Sequence, residues 1–118
     1  MENRKLNDRT LLELAARAAG FTGYGFFLGD DGIDVSDETG TRFAWNPLTE
    51  DHHALRLAVK LRLDITFYNG FEEVAAEPSN GDGMNPCQEV FTENPYAATR
   101  RAIVRAAAEI GKSMGGGE

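Results

Sequence analysis

Apolar positions recur at helical spacing in three stretches of the chain and follow strand-like patterns between them. Over Asp8–Gly20, Leu11, Leu12, Leu14, Ala15, Ala18 and Ala19 form a broad apolar stripe. Glu13 and Arg17 lie four apart on the other face, in the favourable acid-first order. Asp8 reads as the N-cap and Gly20 as the residue just past the helix end. A second helix is predicted from its N-cap Thr49 to Leu61, where Ala54, Leu57, Ala58 and Leu61 form one row, widened by Leu55 and Val59. His53, Arg56 and Lys60 make its polar face. The third opens at Asn94-Pro95, a good cap followed by a residue favoured at the first helical position. Its inward stripe is Tyr96, Thr99, Ile103, Ala106, Ala107 and Ile110, and Gly111 reads as its stop.

The stretches between predict antiparallel strands. Tyr24 and Phe26–Leu28 suit one strand, Asp30-Asp31-Gly32 a turn, and Ile33-Asp34-Val35 the return. Thr39-Gly40-Thr41 marks a second turn before a short strand over Thr41–Trp45. Leu63, Ile65 and Phe67 alternate with polar residues, and Asn69-Gly70 is a strong hairpin signal before Phe71–Ala76. Glu77–Asn85 has loop composition, and Gln88–Phe91 suits a further strand. This order predicts an α+β fold: an α-β-α sandwich, its mainly antiparallel sheet covered by three helices. One domain is expected, with a core from residue 8 to 112 and a flexible tail over Ser113–Glu118.

Composition narrows the function classes. At 118 residues and 42% hydrophobic, the chain can bury a core without cross-links. Its one cysteine, Cys87, excludes an internal disulfide and a cysteine-based structural zinc site, and the cytoplasm is the expected compartment. No apolar run approaches the ~20 residues that span a bilayer, and Met1–Leu6 leads into no apolar signal core. A net charge of -7 disfavours general nucleic-acid binding. Yet Arg56, Lys60, Arg62, Arg100, Arg101 and Arg105 are six of the 12 basic residues. If the two helices that carry them lie side by side, they form a face for an anionic ligand or an acidic partner.

Several motif fragments fail on context. Ile110-Gly111-Lys112-Ser113 resembles the end of a phosphate loop, but Ala106 stands where the first glycine belongs and a helix precedes it. Gly23, Gly25 and Gly29 are misspaced for a dinucleotide loop. Asp30, Asp31 and Asp34 suggest calcium, but Thr41 occupies the twelfth position, where a glutamate is required. No metal or cofactor is therefore expected. A hydrolase built on His52 needs a carboxylate partner, and one built on Cys87 needs an activating base. Trp45, with Phe43, Phe67, Tyr68 and Tyr96, could instead supply a stacking surface. The candidate ligand-binding set is Arg56, Lys60, Arg100, Arg101, Arg105, Trp45 and Tyr68.

Three segments resemble one family: Leu11–Gly20; Trp45-Asn46-Pro47-Leu48-Thr49-Glu50-Asp51 with the helix through Leu61; and Asn94–Gly111. The resemblance is to the phage α-β-α sandwich domain proteins, small chains of phages and prophages. It implies the sandwich fold and no established activity, so no catalytic residue carries over. The expected function is that of a phage accessory protein acting by binding, as a homo-oligomer. The alternatives are a small-ligand binder that captures a nucleotide signal, and a hydrolase using His52 or Cys87.

Overall fold

A computed structural model describes residues 4–25, 32–68, 70–78, 87–90 and 94–115, the backbone alone for 4–7, 24, 25 and 115. The elements are α1 (Arg4–Ala19), β1 (Thr22–Gly25), β2 (Ile33–Ser36), β3 (Arg42–Trp45), α2 (Asp51–Leu61), β4 (Leu63–Tyr68), β5 (Glu73–Pro78), β6 (Cys87–Val90) and α3 (Pro95–Gly115). The expectations for Phe26–Leu28, Asp30-Asp31, Asn69, most of the Glu77–Asn85 loop, Phe91 and the last three residues lie outside the described residues.

The fold is α+β, and its helices pack against antiparallel strands. The strands form two three-stranded sheets, ordered β1-β2-β3 and β4-β5-β6, where one sheet was expected. In the first sheet, Ile33 pairs with Trp45 and Val35 with Phe43, so all four share one face. Asp34 and Arg42 form an ion pair on the opposite face. In the second, Ile65, Val74, Ala76 and Cys87 join the core. Tyr68 pairs with Glu73, so the Asn69-Gly70 hairpin has four connecting residues and the return strand begins two residues later than Phe71.

The two sheets attach to different helices. β1 and β2 contact α1, whereas β4, β5 and β6 all contact α3. The most extensive contact in the fold is α1 against α3. α3 accordingly buries Ala102, Ile103, Val104, Ala106, Ala107 and Ala108, which wrap well beyond a single stripe. A helix apolar on most sides is an interior one. Tyr96, predicted to face inward, is 71% exposed at the end of this helix.

The helix boundaries depart from their sequence signals for tertiary reasons. α1 starts before Asp8, whose carboxylate meets Arg101 at 2.8 Å instead of capping the helix. Its C-terminus is as predicted: Gly20 has φ +87°, with Gly20 N–H bonded to Arg17 O and Phe21 N–H to Ala16 O. The N-cap of α2 is Glu50, one residue beyond Thr49, with no side-chain cap bond. The Asn46 carbonyl oxygen instead accepts from Thr49 and Glu50 N–H, while Asn46 Oδ1 accepts from Leu48 N–H.

Gly111 does not stop α3, which continues to Gly115 through part of the expected tail. It is buried where α3 crosses α1, and a Cβ there would lie 1.9 Å from Leu14 O. Arg17 Nη1 donates to Gly111 O at 3.3 Å in the same contact. Gly111→Ala sets a helix-propensity gain of ~1 kcal/mol against a backbone clash. Overpacking costs about 1–3 kcal/mol, and rigid backbone puts this case at the upper end. The expected outcome is a melting temperature lower by roughly 5–10 °C in a calorimetric scan. The exposed control Ser113→Ala should leave it unchanged.

Candidate functional site

A cleft of about 630 Å³ opens between α2 and the first sheet. Phe21, Phe43 and Trp45 line it from the sheet side, Arg56 and Lys60 from α2. Phe21 occupies the position just after the Gly20 turn, where its N–H bonds back to Ala16 O. Its ring meets Phe43 edge-to-face at 5.6 Å and Trp45 at 5.2 Å. Trp45 is only 3% exposed and forms the floor, so the half-buried Phe21 and Phe43 supply more of the accessible aromatic surface. Arg56 and Lys60 are four apart, hence on one helix face, and both are exposed. Neither has an ion pair or hydrogen bond among the described residues.

His53 forms part of the same wall. Its Nδ1 accepts the Asn46 N–H at 3.0 Å, so the neutral ring carries its proton on Nε2. Burial pushes its pKa below the ordinary 6.5, and the neighbouring His52 adds to this. Adjacent helix positions diverge, yet the two imidazoles lie 4.2 Å apart. Asp37 lies on the sheet side, with Oδ1 accepting from Thr39 N–H, Thr39 Oγ1–H and Thr41 N–H. The Thr39 hydroxyl, followed by the backbone donors, holds this carboxyl below its usual range.

The six basic residues do not converge on one face. Arg100 Nη1 meets Asp51 at 2.6 Å, and its Nε donates to Leu48 O at 2.7 Å, tying α3 to the turn before α2. Arg101 and Arg105 line a separate cleft of about 540 Å³ between α1 and α3. There Arg101 pairs with Asp8 at 2.8 Å, Arg105 with Glu89 at 2.6 Å, and Lys112 with Glu109 at 3.6 Å. Arg105 also donates to Gln88 O. Each cation of that cleft thus has its own carboxylate. Arg62 holds the left-handed C-cap of α2 at φ 57°. Tyr68 is on β4 and does not line the aromatic cleft, so Trp45, Arg56 and Lys60 are the members of the candidate set that meet there, while Arg101 and Arg105 share the other cleft.

The two candidate nucleophilic or basic groups are placed differently. Among the described residues, no carboxylate hydrogen-bonds to His52 or His53. Cys87 is buried, which pushes its thiol up; Arg105 opposes the shift, and Glu109 and Glu89 add to it. A buried, protonated thiol is a packing group. Among the described residues, no three metal-ligating side chains cluster and no helix is long and apolar enough to cross a membrane.

A third feature is an apolar groove of about 360 Å³ between α2, β4 and α3. Leu55, Ile65, Phe67, Tyr96, Thr99 and Ile103 line it. Leu55 is 63% and Phe67 55% exposed, so the groove and its projecting rim form one apolar surface. No protein-family model, curated protein or solved structure matches the chain.

Because the folded chain resists protonating His53, it loses stability relative to the unfolded chain as pH falls through 6.5. The loss levels off once pH is below the lowered folded value. Denaturant midpoints measured from about pH 7.5 down to about pH 5.5 should fall. His53→Gln, which retains an acceptor for Asn46 N–H, should flatten that decline.

Proposed function

We propose that this chain is a small phage accessory protein that works by binding, in the cytoplasm of a bacterial host, and acts as a homo-oligomer. The phage reading rests on the resemblance of the segments that form α1, α2 and α3. The binding reading is favoured by the settings of His52 and Cys87: among the described residues no carboxylate hydrogen-bonds to His52, and burial holds the Cys87 thiol up despite Arg105.

The observation that carries the oligomer is the β4 edge. Among the described residues β4 pairs with β5 alone, which leaves a six-residue edge beside the apolar groove. Edge strands present unpaired N–H and C=O groups, and proteins commonly protect them with lysine, proline or a covering element. β4 has none of the first two: its sequence is Leu-Asp-Ile-Thr-Phe-Tyr. Antiparallel pairing of β4 with β4 of a second copy is symmetric about a two-fold axis, as a closed dimer requires. It joins two three-stranded sheets into one of six and places both sets of Phe67, Leu55 and Tyr96 beside the junction. The surface is also poor in net charge, since Asp51 on it is paired with Arg100. This face therefore adds little to the repulsion between copies bearing -7 each.

Light scattering coupled to gel filtration should give twice the monomer mass for the native chain. Phe67→Lys, a charge on an exposed edge position, should give the monomer mass with an unchanged circular dichroism spectrum. A native chain that remains monomeric at every concentration tested would sink the reading.

A further inference from the structure

We propose that the cleft between α2 and the first sheet is a binding site for a free mononucleotide, the base lying against Phe21 and Phe43 and the phosphate held by Arg56 and Lys60. The site is separate from the β4 edge, and the proposal does not depend on self-association.

The argument rests on a contrast between the clefts. Arg101, Arg105 and Lys112 each face a carboxylate within 4 Å, so the cleft between α1 and α3 is internally neutralised. Arg100 is likewise committed, to Asp51 and to Leu48 O. Arg56 and Lys60 are exposed, share one helix face and have no such partner among the described residues. Two adjacent uncommitted cations on an acidic protein constitute a local anion site, because most of the surrounding surface repels competing polyanions. A guanidinium fork and a flexible ammonium together suit the several oxygens of a phosphate.

The opposite wall specifies the other half of the ligand. Phe21, Phe43 and Trp45 form an edge-to-face cluster whose accessible surface lines the same cleft, and such surfaces stack any heteroaromatic base. Polar groups remain between the two. Because Nδ1 accepts the Asn46 N–H, the neutral His53 ring carries a donor on Nε2, which has no acceptor among the described residues. Asp37 uses Oδ1 for its own turn, which leaves Oδ2 to accept from a base N–H and disfavours phosphate on that side. The charges therefore orient the ligand: phosphate towards α2, base towards the sheet. The cleft of about 630 Å³ lies within the usual range for small-molecule sites, roughly 300–1,000 Å³.

Trp45 is the only tryptophan in the chain and forms the cleft floor, so its emission reports on the site directly. Titration with the four common nucleoside monophosphates should change that emission saturably for at least one of them. The matching nucleoside and inorganic phosphate alone should bind at least about tenfold more weakly, since each lacks one half of the contact. The double variant Arg56→Gln/Lys60→Gln should weaken nucleotide binding by about tenfold or more, with an unchanged melting temperature because both side chains are exposed and have no ion pair among the described residues. No saturable change with any monophosphate at millimolar concentration would overturn the proposal. So would undiminished binding by the double variant, or inorganic phosphate binding as tightly as the nucleotide. A single-stranded oligonucleotide that binds more tightly than every mononucleotide would also overturn it.

Discussion

Two helices that come from opposite ends of the described chain touch backbone to backbone, and the rest of the molecule is arranged around that contact. Gly111 lies against Leu14 O with no room for a Cβ. Both helices bury small side chains: Ala15, Ala16 and Ala19 on α1, Ala102, Ala106, Ala107 and Ala108 on α3. Small side chains bury little apolar area each, so such an interface gains mainly from dispersion between well-fitted surfaces. It tolerates error poorly for the same reason. The first sheet contacts α1 and the second contacts α3, so the helix pair is the joint through which the two sheets belong to one body.

The ionic chemistry follows from that arrangement. Cations on α3 face neighbours on every side, and they are used to fasten those neighbours: Arg101 to α1, Arg100 to the turn before α2, Arg105 to β6. α2 lies at the periphery, and its exposed cations face a cleft. Basic residues that look equivalent along the chain therefore divide into structural fasteners and uncommitted charge. A half-exposed ion pair contributes little to stability on its own, about 0–1 kcal/mol, but these pairs also fix the relative placement of the helices.

Element types and their order were legible in the sequence because they depend on local periodicity and turn chemistry. Gly20, Asn94-Pro95 and the Leu63–Phe67 alternation show this. Partners distant along the chain were not legible. Nothing local distinguishes Asp8 as an N-cap from Asp8 as the partner of Arg101, 93 positions away. Gly111 is ambiguous for a related reason, since glycine marks both helix ends and close helix crossings. The division of the strands into two sheets also depends on which helix each strand reaches. Within the cleft, Trp45, Arg56 and Lys60 are nameable from residue type, whereas periodicity does not single out Phe21 or Asp37 and places His53 on the polar face of α2. Signals for two of them existed: Phe21 follows a helix-terminating glycine, where an apolar residue commonly folds back, and His53 stands four before the buried Leu57.

The central position of α3 has a consequence for biosynthesis. The described strands and both other helices precede it in chain order, so the ribosome delivers the middle of this fold after the elements that surround it. Until then the second sheet has no helix to cover Val74, Ala76 and Cys87, and α1 lacks the partner for its alanine face. The nascent chain can form hairpins locally, but it cannot close its core until α3 emerges. Contacts that span nearly the whole chain are slow to form, and the incomplete intermediate exposes apolar strand faces while it waits. Synthesis therefore builds the surfaces before the helix that covers them, and a chain still lacking α3 is a natural client for chaperones that shield exposed apolar surface.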